Sequence, residues 1–133
     1  MHFAHLADTH LGFKHLGLDE REKDLYEVFE KTIDKIIELD VDFVIHGGDL
    51  FDHYRPSTDT LLAFQKQILK LNDAGIPFYA IAGNHDSLSR SNTKPPIVLF
   101  EELGLKVIST NNTYVENDVL ICGMQHFTKS KKK

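Results

Sequence analysis

Apolar residues change their period along the chain, and the changes divide it into alternating strands and helices. Phe3 to Ala7 is a short, mostly apolar run ending at Asp8, which predicts a buried strand. Between Glu20 and Leu39, apolar residues recur every three or four positions (Leu25, Phe29, Ile33, Ile36, Ile37) with charges between them, the pattern of an amphipathic helix. Asp40-Val41-Asp42 breaks that helix. Phe43 to His46 predicts a second buried strand, stopped by Gly47-Gly48. Pro56-Ser57 opens another helix with Ser57 as N-cap, and Leu61, Leu62, Phe64, Ile68, Leu69 and Leu71 carry it toward Gly75. Phe78 to Ala82 predicts a third strand. A polar loop over Ser87 to Lys94 follows, then Pro95-Pro96 and a short helix through Leu103 that Gly104 stops. Leu105 to Ser109 predicts a fourth strand, and Asn117-Asp118 sets a turn between Tyr114-Val115 and Val119 to Cys122.

Strand, helix, strand, helix, strand is the pattern of a mainly parallel α/β sheet, in which ligands gather outside the carboxyl ends of the strands. Three polar clusters stand at such ends: Asp8-Thr9-His10, then Gly47-Gly48-Asp49 continuing into Leu50-Phe51-Asp52-His53, then Gly83-Asn84-His85-Asp86. Adjacent strands would open all three onto one edge. Carboxylate, imidazole and amide donors without a thiolate suit a divalent cation such as Mn²⁺, Fe²⁺ or Zn²⁺, and weigh against a structural zinc site. Asp49, the central carboxylate, can bridge two ions. A pair of ions about 3.5–4 Å apart can clamp a phosphate. His85, beside a proposed ligand, is placed to act on the phosphoryl group.

Taken singly, each piece has a plainer reading. Asp8 can end a strand, Asp49 can cap a turn, Asn84 can occupy a left-handed turn and His10 can be a surface residue. The conjunction at three strand ends is what points to a metal site. His5 and His46 lie within apolar strands and read as hydrogen-bonded core histidines. His2, His15 and His126 have no partner cluster in sequence, and His53 stands close to Asp49 but past the turn.

Composition narrows the picture. At 41% hydrophobic and 26% charged, the 133 residues suit one globular domain, or part of one, with no second domain. The net charge is −5. Setting aside Lys129, Lys131, Lys132 and Lys133 leaves eleven basic against twenty acidic residues, a net of −9. So acidic a body is unlike a passive electrostatic DNA binder and suits a protein that gathers carboxylates around cations. The single cysteine, Cys122, excludes an internal disulfide; its run Val119 to Gly123 predicts a buried thiol. No apolar run approaches the roughly 18 residues of a membrane helix, and no secretory signal is expected, so the chain reads as cytoplasmic or nuclear.

Asp8-Thr9-His10, Gly48-Asp49 and Gly83-Asn84-His85-Asp86 together resemble the D-x-H, G-D and G-N-H-[DE] pattern of the calcineurin-like metallophosphoesterases. The runs His5 to Gly12, Gly48 to Asp52 followed by Arg55-Pro56-Ser57, and Ala82 to Asp86 are similar, more narrowly, to the double-strand-break repair nucleases of that family. The resemblance spans essentially the whole chain. It implies a layered metallophosphoesterase sandwich, of which this chain is the N-terminal portion. It also implies two divalent ions, Mn²⁺ above all. Asp8 and His10 would hold the first ion, Asp49 would bridge, Asn84 would hold the second, and His85 would be the catalytic histidine. The implied activity is DNA phosphodiester hydrolysis, 3′→5′ on duplex ends and endonucleolytic on single strands. The implied assembly is a homodimer bound to an SMC-like ATPase, with helices after the second and third strands at the dimer interface.

The sequence departs from the pattern in two ways. Many relatives carry a histidine where Asp52 stands, proposed to contact DNA; a carboxylate there would repel phosphate unless bound or paired. The family's later histidine ligands have no counterpart within the chain, so a folded but inactive fragment, or a phosphodiesterase for small substrates, are the alternatives. Asp52, His53, Arg90 and Lys94 are the candidate DNA-contacting positions, the last two from the loop after the third cluster.

Overall fold

The computed structural model describes residues 1–82 and 94–124. Four short strands, β1 (Phe3–Leu6), β2 (Phe43–His46), β3 (Phe78–Ala80) and β4 (Leu105–Val107), form one sheet in the order β1-β2-β3-β4, every neighbouring pair parallel. Helix α1 (Asp19–Glu38) connects β1 to β2, and α2 (Thr58–Asp73) connects β2 to β3. The short helix expected after Pro95 is a 3-10 helix over Pro96–Leu103, closed by Gly104 in the left-handed region. Ser57 caps α2 as expected: its hydroxyl accepts from the Thr60 amide at 3.2 Å. Strands β5 (Tyr114–Glu116) and β6 (Val119–Ile121) pair as the expected antiparallel hairpin, with Asn117 and Asp118 both at positive φ in its turn.

Side-chain alternation splits the sheet into two faces. Val44, Phe78, Ala80, Leu105 and Val107 face both helices and the 3-10 helix, where Phe29, Ile33, Phe64, Ile68 and Phe100 complete the main core. Phe64 lies at its centre, with ring centroids of Phe29, Phe51, Phe78 and Phe100 all within 6.0 Å. On the other face Phe43, Tyr79, Ile108 and Ile121 make a smaller cluster under the hairpin. The Tyr79 hydroxyl donates to Glu116, and burial together with that carboxylate pushes the phenol pKa up.

Two sequence expectations are corrected here. His5 is exposed, because β1 is an edge strand and His5 points to the face the hairpin leaves open. Cys122 is exposed as well: it follows the last residue of β6, and alternation puts Ile121, not the cysteine, against the sheet. His46 matches expectation, with no accessible surface and hydrogen bonds to both ring nitrogens.

Candidate metal centre

The β1–β2 pairing does not stop where the strands end. Gly47 donates to Leu6, Asp8 to Gly48, His10 to Asp49 and Leu11 to Leu50, backbone to backbone, at 2.8–3.0 Å. Asp52 then donates back to Leu11 at 3.0 Å. Two loops are thus zipped together, and the first and second clusters ride on them side by side. Asp8, His10 and Asp49 each have positive φ (54°, 44° and 53°), a conformation that costs a residue with a Cβ about 1 kcal/mol. That strain recurs at the three residues whose side chains converge: one ligand-type atom from each lies within 4.8 Å of the others.

Beneath them His46 braces both loops. Its Nδ1 accepts from the Gly48 amide at 3.2 Å. Its Nε2 therefore carries the proton and faces Thr9 Oγ1 at 3.1 Å, while the Thr9 hydroxyl donates to the Leu50 carbonyl at 2.9 Å. Burial, then the neighbouring His5, depresses the His46 pKa to about 4, against a weaker opposing pull from Asp49. A neutral imidazole suits its position, since protonating Nδ1 would break the Gly48 bond. Sequence reasoning passed over Thr9 and gave His46 no part in the site. The spacing that places both on adjacent parallel strand ends was the available signal.

Asp52 is also placed by the structure. Its Oδ1 lies 3.2 Å from His10 Nδ1 and its Oδ2 lies 3.3 Å from His53 Nε2. It is paired, as a carboxylate in that position needs to be. Asp52 and His53 line a cleft of about 760 Å³ between the start of α1 and the start of α2. Across the cleft Tyr26 donates to Glu22, and its oxygen lies 2.7 Å from Thr60 Oγ1. Burial, helped by Glu22, pushes the Tyr26 pKa up to about 12, so the phenol keeps its proton. Lys14 reaches Glu22 at 3.3 Å and Asp19 at 2.9 Å. Lys94 is exposed. Asn84, His85 and Arg90 lie outside the described residues.

A carboxylate from each of two loops and an imidazole between them form a hard-to-borderline donor set that fits a divalent cation. A family model for calcineurin-like phosphoesterases matches residues 1–128. The chain belongs to the calcineurin-like phosphoesterase family. Within it, the chain is 43% identical over 135 residues to the DNA double-strand break repair protein Mre11 of Methanococcus maripaludis, across 98% of this chain and 36% of that protein. The Mre11 proteins of Methanocaldococcus jannaschii (37% identical, 100% of this chain, 37% of the relative) and Thermoplasma acidophilum (38% identical, 97% and 36%) are similarly related. The chain therefore spans little more than a third of the length of these relatives.

Proposed function

We propose that this chain supplies the strand-end metal centre of a DNA-repair nuclease that hydrolyses DNA phosphodiesters. The observation that carries the reading is the convergence of Asp8, His10 and Asp49 on two hydrogen-bonded loops, at the positions that match the family motif. Asp8 and His10 would hold one divalent ion, Asn84 a second, and Asp49 both; Mn²⁺ fits the oxygen-and-nitrogen donors. Bound there, two ions supply charge to neutralise a phosphodiester and acidity to a water near it. The protein's own part is to fix the ligands through the zipped backbone and the neutral His46 brace. His85 would donate a proton, or a hydrogen bond, to the phosphoryl or leaving oxygen.

DNA contact by His53, Arg90 and Lys94 belongs to the same proposal, as do 3′→5′ exonuclease and single-strand endonuclease action. His53 is mostly exposed at the cleft, beside the carboxylate that partners it. The named relatives are repair proteins, which favours DNA over small phosphodiesters. A homodimer working with an SMC-like ATPase completes the reading. Leu62 and Leu69 on the outer side of α2 are 55% and 37% exposed and would be available to a second copy. Among the described residues no helix is long and apolar enough to cross a membrane.

The test is digestion of linear duplex DNA by the full chain with Mn²⁺, with His85→Ala as control. Cleavage lost in the variant supports the nuclease. Hydrolysis of a chromogenic phosphodiester without DNA degradation would move the substrate to small phosphodiesters. Silence toward both, with intact circular dichroism, would make the chain a folded portion whose chemistry needs residues beyond it.

A further inference from the structure

We propose that Asp52 is a positioning residue for the metal centre, holding His10 in the one tautomer and ring orientation that leaves its Nε2 lone pair facing Asp8. The proposal rests on the reading of those three residues as cation ligands. An imidazole beside two carboxylates can present either nitrogen, and a ring that presents Nε2–H to the cluster cannot ligate through that atom. Here the choice is made by a carboxylate. Asp52 Oδ1 lies 3.2 Å from His10 Nδ1, where an ionised carboxylate can only accept, so Nδ1 carries the proton. His10 Nε2 lies on the opposite edge of the ring, 3.9 Å from Asp8 Oδ1.

Asp52 is itself held on two sides. Its amide donates to the Leu11 carbonyl at 3.0 Å, and its neighbour Phe51 is bridged to Leu11 in a parallel pair. Its second oxygen meets His53 Nε2 at 3.3 Å. With its side chain only 16% exposed, the carboxylate faces its two imidazoles in a sheltered position. A carboxylate on the far nitrogen of a ligating histidine also raises the basicity of the near one, and losing such a partner typically weakens metal binding about 10–100-fold. The aspartate standing where many relatives carry a histidine thus works on the ion through His10.

Two readouts on the full chain test this. The first needs no metal: long-range ¹H–¹⁵N correlation of the histidine rings reports the tautomer of His10. The second is Mn²⁺ affinity by calorimetry. The unmodified chain should show His10 as the Nδ1–H tautomer. Asp52→Ala should mix or reverse the tautomer and weaken Mn²⁺ binding about 10–100-fold. Asp52→Asn, whose amide oxygen still accepts from Nδ1, should restore the tautomer and recover much of the affinity. Asp59→Asn removes the same charge from the same cleft and calibrates the non-specific electrostatic effect. An Nε2–H tautomer in the unmodified chain, or an Asp52→Ala loss no larger than that of Asp59→Asn, would overturn the proposal. Absence of Mn²⁺ binding in the unmodified chain would instead sink the metal reading, and the tautomer measurement would still decide what Asp52 does to His10.

Discussion

Acidification should destabilise this protein through His46, and the size of the effect can be worked from its surroundings. The imidazole has no accessible surface, accepts at Nδ1 from Gly48 and faces Thr9 through Nε2. Its pKa is lowered from 6.5 to about 4, first by burial and then by His5. In the unfolded chain the same group titrates near 6.5. Between those two values the unfolded state binds a proton that the native state refuses, so stability falls as pH falls. The contribution is intact above pH 6.5, declines through the window and is gone below about pH 4. At about 1.36 kcal/mol per pH unit, the gap of about 2.5 gives a loss of roughly 3 kcal/mol, a large share of the roughly 5–15 kcal/mol that holds a domain together. The assay is urea unfolding at fixed pH steps from 7.5 to 4, on the unmodified chain and on His46→Gln. Glutamine can still bond to Thr9 but does not titrate. The Gln variant should start less stable, for want of the Gly48 bond, and lose less on acidification, so the two curves converge toward pH 4. Parallel curves, or an NMR titration placing His46 near 6.5, would refute the reasoning.

Other outcomes follow from the strained loops. Asp8→Gly should abolish Mn²⁺ binding while making the metal-free chain more stable by about 1 kcal/mol, because it relieves a left-handed aspartate and removes a carboxylate close to Asp49; calorimetry and denaturant midpoints measured together check both halves. Gly12→Ala should cost about 1–2 kcal/mol in the denaturant midpoint. Gly12 sits at φ +95°, and an added Cβ would stand 2.9 Å from Thr60 Oγ1, inside the network that joins α1 to α2. A Gly12→Ala midpoint equal to that of the unmodified chain would show that the loop relaxes away from Thr60.

What the sequence could convey depended on whether a property is local in the chain. The parallel pairing and both long helices were legible because each follows from the apolar period and from the alternation of strands with helices. The Ser57 cap and the Asn117-Asp118 turn were legible because each depends on neighbours two or three residues away. Burial of His5 and Cys122 was misjudged for one reason: an apolar run indicates a strand but not whether anything covers the face a given residue presents. On β1 edge position decided it, and at the end of β6 alternation did, turning Ile121 and not Cys122 against the sheet. The pairing of Asp52 with His10 was illegible because the two lie 42 positions apart, and only the backbone register of the two loops brings them together.

The candidate ligands were found in the sequence, but the reason they can act as a unit was not. A continued parallel ladder with ordinary extended residues would send alternate side chains to opposite faces. Here Asp8, His10 and Asp49 each turn through the left-handed region while their backbones stay hydrogen-bonded across the two loops. Three residues with Cβ atoms accept a conformation that glycine would adopt freely, and glycines are present next door at positions 47, 48 and 12. Stability alone would have favoured glycine at the strained positions as well. Carboxylates and an imidazole stand there instead, as non-glycine residues at positive φ also do at Leu16, Asp40, Asn117 and Asp118. The buried His46, kept neutral and bonded to both loops, resists the relaxation that would otherwise relieve that strain. The same brace that makes the fold sensitive to acid thus keeps the three donors converged before any cation arrives.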